Sequence, residues 1–277
     1  MFKILLEAVS HAEFYKDGFF GYGEKGDFTY FSFWHFLPII LLIGGIILTY
    51  FLKDKIKNWK YEKTFRLFFG FLMLVVEMSY YWRVLYTGPQ GDTATNLLTK
   101  LPLQVCEWTC IFAAVMIFTL DKHLFDIDVF VCLTIGIVPL ITPAVIVSTG
   151  PTYYRYYQFF LEHELPIYAV FYIMFVHGYK FDIKKVYKPV IFLAVLAVFA
   201  IIFNNLIPTA NYLYLNTTTD GGSIANVLPP NIYIRLLIFT LLICLMFTIE
   251  GLVFFLIRKL RAKKEAKQQM EEGIKNA

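Results

Sequence analysis

Seven stretches of about 20 mostly apolar residues recur along this chain, and nothing else in the sequence constrains the fold as much. In order they cover about residues 31–52, 65–86, 101–120, 128–148, 157–179, 186–207 and 232–257. Each is near the ~20 residues that cross a hydrocarbon core as a helix. In lipid a spanning backbone must satisfy its own hydrogen bonds, and with no strand-period alternation present the helix is the way to do so. The expected fold class is therefore all-α: a polytopic membrane protein with a seven-helix transmembrane bundle. Charge content agrees. Soluble domains carry about 25% charged residues, and this chain carries 17% against 58% hydrophobic.

The domain reading follows from what lies outside the runs. Residues 1–30 mix Phe and Gly with acids and lysines and read as an interfacial leader. Residues 31–257 form one membrane domain, and 258–277 a charged helical tail at the anionic leaflet. The opening run is short and broken by Glu7 and Glu13, so it does not read as a signal peptide. All four cysteines (Cys106, Cys110, Cys132, Cys244) fall inside apolar segments, which excludes a disulfide framework and a soluble zinc module.

Orientation comes from the connecting loops. Lys53, Lys55, Lys57, Lys60 and Lys63 follow the first run, Lys122 the third, and Lys180, Lys184, Lys185 and Lys188 the fifth. Arg258, Lys259, Arg261, Lys263, Lys264 and Lys267 follow the seventh. The alternate loops hold only Lys100 and Arg155, and 208–231 holds no Lys or Arg. This alternation places the N-terminus outside and the C-terminus in the cytoplasm. It also assigns the net charge of +4 to topology, so no nucleic-acid partner is expected.

Two polar interruptions stand out: Leu101-Pro-Leu-Gln-Val-Cys106-Glu-Trp-Thr-Cys110, and Tyr156-Tyr-Gln-Phe-Phe-Leu-Glu-His163-Glu-Leu-Pro166. At about 1.5 Å per residue, Cys106 falls roughly 8 Å and His163 roughly 9 Å below the outer ends of their spans. His35 falls roughly 6 Å below the end of the first span, and Glu77 stops roughly 14 Å short of the end of the second. Glu107 and Glu162 lie beside the pair. Ionisable groups at such depth are costly and point to function. A cysteine with a histidine at matching depth is a nucleophile with its base.

Each residue also has a structural reading. A membrane cysteine is commonly a small hydrophobe, and packing is the favoured role for Cys110. A membrane histidine can be satisfied by an interhelical hydrogen bond. His35 in Phe-Trp-His-Phe fits the aromatic belt equally well, and His11, His123 and His177 read as loop or interface residues. The Cys106/Cys110 pair with a histidine has metal-ligand types, but without a second ligand set no metal is expected, nor any other cofactor. Pro166 leaves the Glu162 carbonyl without its helical partner, free to orient the imidazole. Pro139 and Pro143 kink the fourth span. Glu250 receives no role. The 208–231 loop is placed to cap the outer cavity, with Asn211 and Tyr212 supplying hydrogen bonds.

The chain resembles the bacterial YwaF-like integral membrane proteins, whose animal relative is transmembrane protein 164, a membrane acyltransferase. The likeness spans roughly residues 30–257. It rests on His35, on Leu-Pro-Leu-x-x-Cys (Leu101 to Cys106), on Arg-x-x-Gln-Phe-Phe-x-x-His (Arg155 to His163) and on Asn-Tyr-Leu-Tyr-Leu (Asn211 to Leu215). Two positions depart from it: Gln104, where relatives often carry histidine, and the Asn-Thr-Thr-Thr-Asp-Gly-Gly run after the last motif. The resemblance implies a seven-helix bundle of a bacterial plasma membrane that moves an acyl group between phospholipids through Cys106, with His163 as partner. His35 and Asn211 carry over as motif residues. Membrane lipids are the implied substrates, with no oligomeric state implied. Glu77, Gln104, Glu107, Glu162, Asn211 and Tyr212 are the supporting candidates around the Cys106/His163 pair. Two rival readings remain. One is a seven-helix transporter or binding protein using Glu77, His35 and His163. The other is a hydrolase using the same pair with water as acceptor.

Overall fold

The computed structural model describes residues 18–21, 28–87, 100–143, 150–207, 210–216 and 227–275. Most of the leader, the end of the expected fourth span and the Asp220-Gly-Gly turn lie outside them. Every regular element among the described residues is helical. In chain order these are α1 (Phe33–Lys57), α2 (Glu62–Thr87), α3 (Val105–Thr119), α4 (Lys122–Leu133), α5 (Val138–Ile141), α6 (Tyr154–Val176), α7 (Tyr187–Leu206) and α8 (Ile232–Lys275). Five of them, α1, α2, α6, α7 and α8, are long and apolar enough to cross a membrane. A sixth crossing is made if α4, a 3-10 turn at Ile135–Ile137 and α5 count as one segment, which bends by 44°. The apolar α3 is shorter, at 15 residues.

The bend has a local cause. Pro139 has no N–H to give, and its ring crowds the carbonyl of Ile135. Thr134 folds its hydroxyl back onto the Phe130 carbonyl at 2.5 Å, giving that end of α4 an internal partner. The kink expected from Pro139 is therefore present, placed just ahead of the proline.

Two helix starts differ from the sequence reading, and both differences trace to caps. α3 begins at Val105, not at 101, because Pro102 and an extended Gln104 precede it. The Glu107 side chain turns back to accept the Gln104 N–H at 2.9 Å, fixing the first turn. α4 begins at Lys122, not 128, because Asp121 accepts the N–H groups of His123 (2.6 Å) and Leu124 (3.0 Å).

Contacts at the two ends of the bundle show that consecutive segments run antiparallel. At the basic end, Glu62 of α2 accepts from Arg66 (3.2 Å), Tyr172 (3.0 Å) and His177 (2.9 Å). Arg66 also donates to the carbonyls of Ile117 and Phe118 at the end of α3. Lys188 of α7 reaches Asp126 (2.5 Å) and His123 (3.0 Å). At the opposite end, Tyr156 of α6 donates to the Trp34 carbonyl (2.5 Å), and Tyr154 to Ser79 of α2 (2.5 Å).

α6 is the central helix: α1, α2, α3, α4 and α5 all pack on it. Its inward side is buried along its length, from Tyr156 to Val176. α2 approaches α3 so closely that a Cβ on Gly70 would meet Phe118 at 2.7 Å. α7 and α8 are peripheral. Their outward faces carry exposed Ile191, Val195 and Val198, and Leu237, Leu241 and Leu245. That is the pattern of helices whose apolar faces meet lipid.

Between α7 and α8, residues 210–216 fold into a small cap. Ala210, Tyr212 and Leu215 form a small apolar cluster with Ala200, backed by Leu101 and Leu103. Asn204 pairs with both backbone groups of Tyr212 (2.8 and 3.0 Å). Arg235 of α8 donates to the carbonyls of Tyr214 (2.7 Å) and Asn216 (3.0 Å). These clamps hold Leu213 and Tyr214 at positive φ, 53° and 55°, a conformation non-glycine residues seldom adopt.

Candidate active site

The site is assembled from the first turn of α3, the first half of α6 and the middle of α2, beneath the cap. On α6 the residues Arg155, Gln158 and Glu162 follow one another at helical spacing and share a face. The Arg155 guanidinium meets the Gln158 side-chain oxygen and reaches Glu162 Oε2 at 3.3 Å. Gln158 donates to the same Oε2 at 2.8 Å. The guanidinium lies 4.8 Å over the Tyr80 ring and 5.6 Å from that of Phe159. Glu162 is thus gripped through one oxygen, which leaves the other for the site.

His163 is held in one tautomer by simple chemistry. Its Nδ1 lies 2.7 Å from the Phe159 carbonyl, and a carbonyl only accepts, so Nδ1 carries the hydrogen. In the neutral ring Nε2 is then the bare nitrogen. The orienting carbonyl is that of Phe159, one turn back, and not the Glu162 carbonyl that Pro166 leaves unpaired. Glu162 does not bond the imidazole either.

Cys106 occupies the second position of α3 and is half-buried. Its sulfur, a carboxylate oxygen of Glu162 and an imidazole nitrogen of His163 all lie within 4.8 Å of one another. Starting α3 at Val105 moves Cys106 into the first helical turn, where backbone N–H groups have no intrahelical acceptor. The two motifs therefore meet, as matching depth predicted. Glu77 of α2 and Glu107 of α3 both lie within electrostatic reach of the thiol, and Glu77 also senses Arg155. Glu77 is buried, and its Oε2 has no partner among the described residues. Tyr81 lies beside Glu107.

The other candidates take places of their own. Gln104 ties α3 to the cap: its side-chain oxygen accepts the Leu213 N–H (3.1 Å) and its amide reaches the Asn211 carbonyl (3.4 Å). The Asn211 side chain accepts the Asn216 N–H at 3.0 Å. The Tyr212 oxygen accepts the Leu101 N–H at 2.9 Å. Burial pushes the Tyr212 phenol up from its ordinary value. Gln104, Asn211 and Tyr212 are cap-to-helix fasteners that fix the turn carrying Cys106. His35 is not in the group. Its Nε2–H donates to the Leu140 carbonyl (2.8 Å) and its Nδ1 accepts the Phe31 N–H (3.0 Å), so both ring nitrogens are spent on backbone. Cys110 packs, with its sulfur 3.5 Å from the Met73 carbonyl.

Cysteine, histidine and glutamate are ligand types that a zinc ion accepts. A cation held by Glu162 here would also face the guanidinium 3.3 Å from that carboxylate, which disfavours it. Arg155 and Gln158 carry no role in the sequence reading. Their spacing to Glu162 was the available signal, since i, i+3 and i+7 place three polar groups on one face.

Fold and site together define a multi-pass α-helical membrane protein with a cysteine, a histidine and carboxylates gathered near one end of its bundle. Comparison with known proteins narrows the class. A sequence model of the TMEM164 family matches residues 30–249, and the chain belongs to that family. No curated protein and no solved structure gives a match.

Proposed function

We propose that this protein is a membrane-embedded acyltransferase that moves a fatty acyl group between phospholipid and lysolipid through a thioester on Cys106. The observation that carries this reading is the convergence of the Cys106 thiol with an imidazole whose Nδ1 is pinned to the Phe159 carbonyl. His163 Nε2 takes the thiol proton and the thiolate attacks the ester carbonyl of a phospholipid. The tetrahedral adduct collapses, the lysolipid oxygen takes the proton back from the imidazolium, and the acyl group stays on sulfur. A lysolipid hydroxyl then gives its proton to Nε2 and attacks the thioester. Cys106 leaves as thiolate and recovers the proton. One ester is exchanged for another with no net proton change.

The backbone N–H groups at the start of α3, beside Cys106, are read as the oxyanion donors. Glu162, set by Arg155 and Gln158, orients the thiol and balances the imidazolium. Gln104 is committed to the cap and does not serve as an oxyanion donor. The protein is read as seven spans, with the 15-residue α3 completed by Leu101–Gln104, the cap outside and the basic end in the cytoplasm. The substrates then enter from the outer leaflet.

The test uses protein in nanodiscs holding phospholipid and isotopically labelled lysophospholipid, read by lipid mass spectrometry. Labelled diacyl product is expected from the wild type and not from Cys106→Ala. Free fatty acid without labelled product would make the protein a hydrolase. Product formation unchanged by Cys106→Ala would overturn the thioester.

A further inference from the structure

The pairing that sets Glu162 uses one corner of the Arg155 guanidinium. Nη1 makes both contacts, to the Gln158 side-chain oxygen and to Glu162 Oε2. Among the described residues Nε and Nη2 have no protein partner, and 12% of the side chain stays exposed. The flat group lies against aromatic rings, 4.8 Å over Tyr80 and 5.6 Å from Phe159. These contacts hold it in one place and leave one edge open. On that edge the Nε and Nη2 hydrogens point the same way, a fork that matches two oxygens of a phosphate or a carboxylate.

The same contacts fix how far this edge is from the thiol. Nη1 is 3.3 Å from one Glu162 oxygen, and a Glu162 oxygen is within 4.8 Å of the Cys106 sulfur. Allowing for the width of the carboxylate, Nη1 is no more than about 10 Å from the sulfur. In a phospholipid five bonds separate the phosphorus from the nearer ester carbon, roughly 6 Å when extended. With a phosphate oxygen about 2.8 Å from its donor and the sulfur about 3.3 Å from the ester carbon, one lipid reaches both. The order along α6 agrees: Arg155 is its second residue, and His163 lies roughly 12 Å further in. That is the order of a lipid with its headgroup at the end of the bundle and its ester deeper. A fatty acid held by its carboxylate at the fork would bring no ester to the sulfur. Glu162 cancels part of the Arg155 charge, and Arg83 brings a second guanidinium to this end. Arg83 donates to the Phe20 and Gly21 carbonyls (3.2 and 3.0 Å), and the Phe20 ring lies 5.2 Å from that of Tyr154, beside Arg155 in the chain.

We propose that Arg155 binds the phosphodiester of the lipid whose ester meets Cys106, so that the site takes phospholipids in preference to neutral glycerolipids. The chemistry that follows binding rests on the thioester reading; the phosphate contact rests on the geometry of Arg155 itself. Arg155 then serves twice. Its Nη1 positions Glu162, and its open edge sets which lipid can lie across the thiol.

The test uses full-length protein in maltoside micelles, which hold no phosphate. Native mass spectrometry reads the binding of a diether phosphatidylcholine and of a diether glycerol with the same chains, neither of which has an ester to react. Wild type is expected to bind the phospholipid roughly tenfold or more tightly, the worth of a charge-assisted bidentate contact, and Arg155→Gln should lose that preference. Acylation of Cys106 is then followed by intact-protein mass, with phosphatidylcholine or diacylglycerol as donor and lysophospholipid or monoacylglycerol released. Arg155→Gln loosens Glu162 and should slow both donors, with a further loss of roughly tenfold for the phospholipid alone. Arg155→Lys keeps the charge without the fork and should fall between the two; it also keeps the test open if melting profiles show Arg155→Gln unfolded. Equal binding of the two diether lipids by wild type would overturn the proposal. So would a folded Arg155→Gln protein with the wild-type preference, the result expected if Arg155 does no more than position Glu162. A binding preference lost in Arg155→Gln, with no acyl adduct from either donor in wild type, would remove the thioester and leave the phosphate site standing.

Discussion

The two ends of the bundle each hold a buried cluster built on a glutamate, an arginine and a histidine, and they are finished differently. At the basic end Glu62 receives Arg66, Tyr172 and His177, all on Oε1, while Arg66 gives Nη1 to the Ile117 and Phe118 carbonyls. That cluster closes on itself and ties α2, α3 and α6 together. Beneath the cap, Glu162 likewise receives Arg155 and Gln158 through one oxygen, but His163 turns Nδ1 onto the Phe159 carbonyl and not onto the glutamate. A carboxylate oxygen, an imidazole nitrogen and the Cys106 thiol are left facing one another. The same residue types thus make a clasp where the histidine bonds the glutamate and a candidate reactive site where the histidine and a thiol lie beside it.

If this contrast is correct, substitutions at the two ends should separate activity from stability. The largest effect is expected at the open cluster. His163→Ala should lower acyl transfer by about 10²- to 10⁴-fold, the usual value of a positioned base, and leave the melting temperature almost unmoved. Cys106→Ala should remove transfer altogether, measured in the same nanodisc assay. Equal loss of folding in both variants would erase the distinction between the two clusters.

The next effect belongs to the closed one. Arg66→Met takes the arginine from Glu62 and the donor from two helix-end carbonyls, and breaking such a buried pair costs about 3–5 kcal/mol. A clear drop in thermal stability is expected, with transfer per folded molecule unchanged. The comparison sharpens with Glu62→Gln, which keeps an acceptor for Tyr172 and should be milder.

His35 tests the same rule within one residue type. It was a site candidate from its place in a motif. Both of its nitrogens nevertheless end on backbone groups, from Phe31 and Leu140. His35→Ala should therefore destabilise by about 1–3 kcal/mol, the cost of leaving buried polar groups unpaired, and should spare the chemistry. A loss of transfer in a fully stable His35→Ala protein would return it to the site.

The distance between these histidines shows what could and could not be read from the chain. Five of the seven apolar runs correspond to helices long and apolar enough to cross a membrane, because lipid leaves the backbone few options. Depth counting along those runs brought Cys106 to His163, because two residues equally far from one surface on packed helices can meet. The count failed at the caps. Asp121 and the Gln104–Glu107 pair set helix starts by local hydrogen bonds that a hydropathy average does not register. It also failed at His35, whose partners are carbonyl and amide groups that every residue carries and no side-chain pattern reveals. Arg155 and Gln158 were legible in principle through their spacing to Glu162.

The cap supplies the smallest effect and joins the two halves of the contrast. Its described residues are tied down by hydrogen bonds, yet it sits on the turn that carries the open site. Asn204 bonds both backbone groups of Tyr212, and Gln104 of the Cys106 turn bonds the Leu213 N–H and the Asn211 carbonyl. Asn204→Ala leaves two buried backbone groups unpaired at a cost of about 1–3 kcal/mol, most of it local to the cap. Hydrogen exchange in residues 210–216 should quicken by more than the global melting point falls. If the cap holds Cys106 in register, transfer should fall modestly, through kcat rather than KM, because misplacing the nucleophile weakens the transition state more than lipid binding. A variant with a loosened cap and an unchanged kcat would show that the cap closes the bundle without tuning its chemistry, and Cys106 would then owe its position to α3 alone.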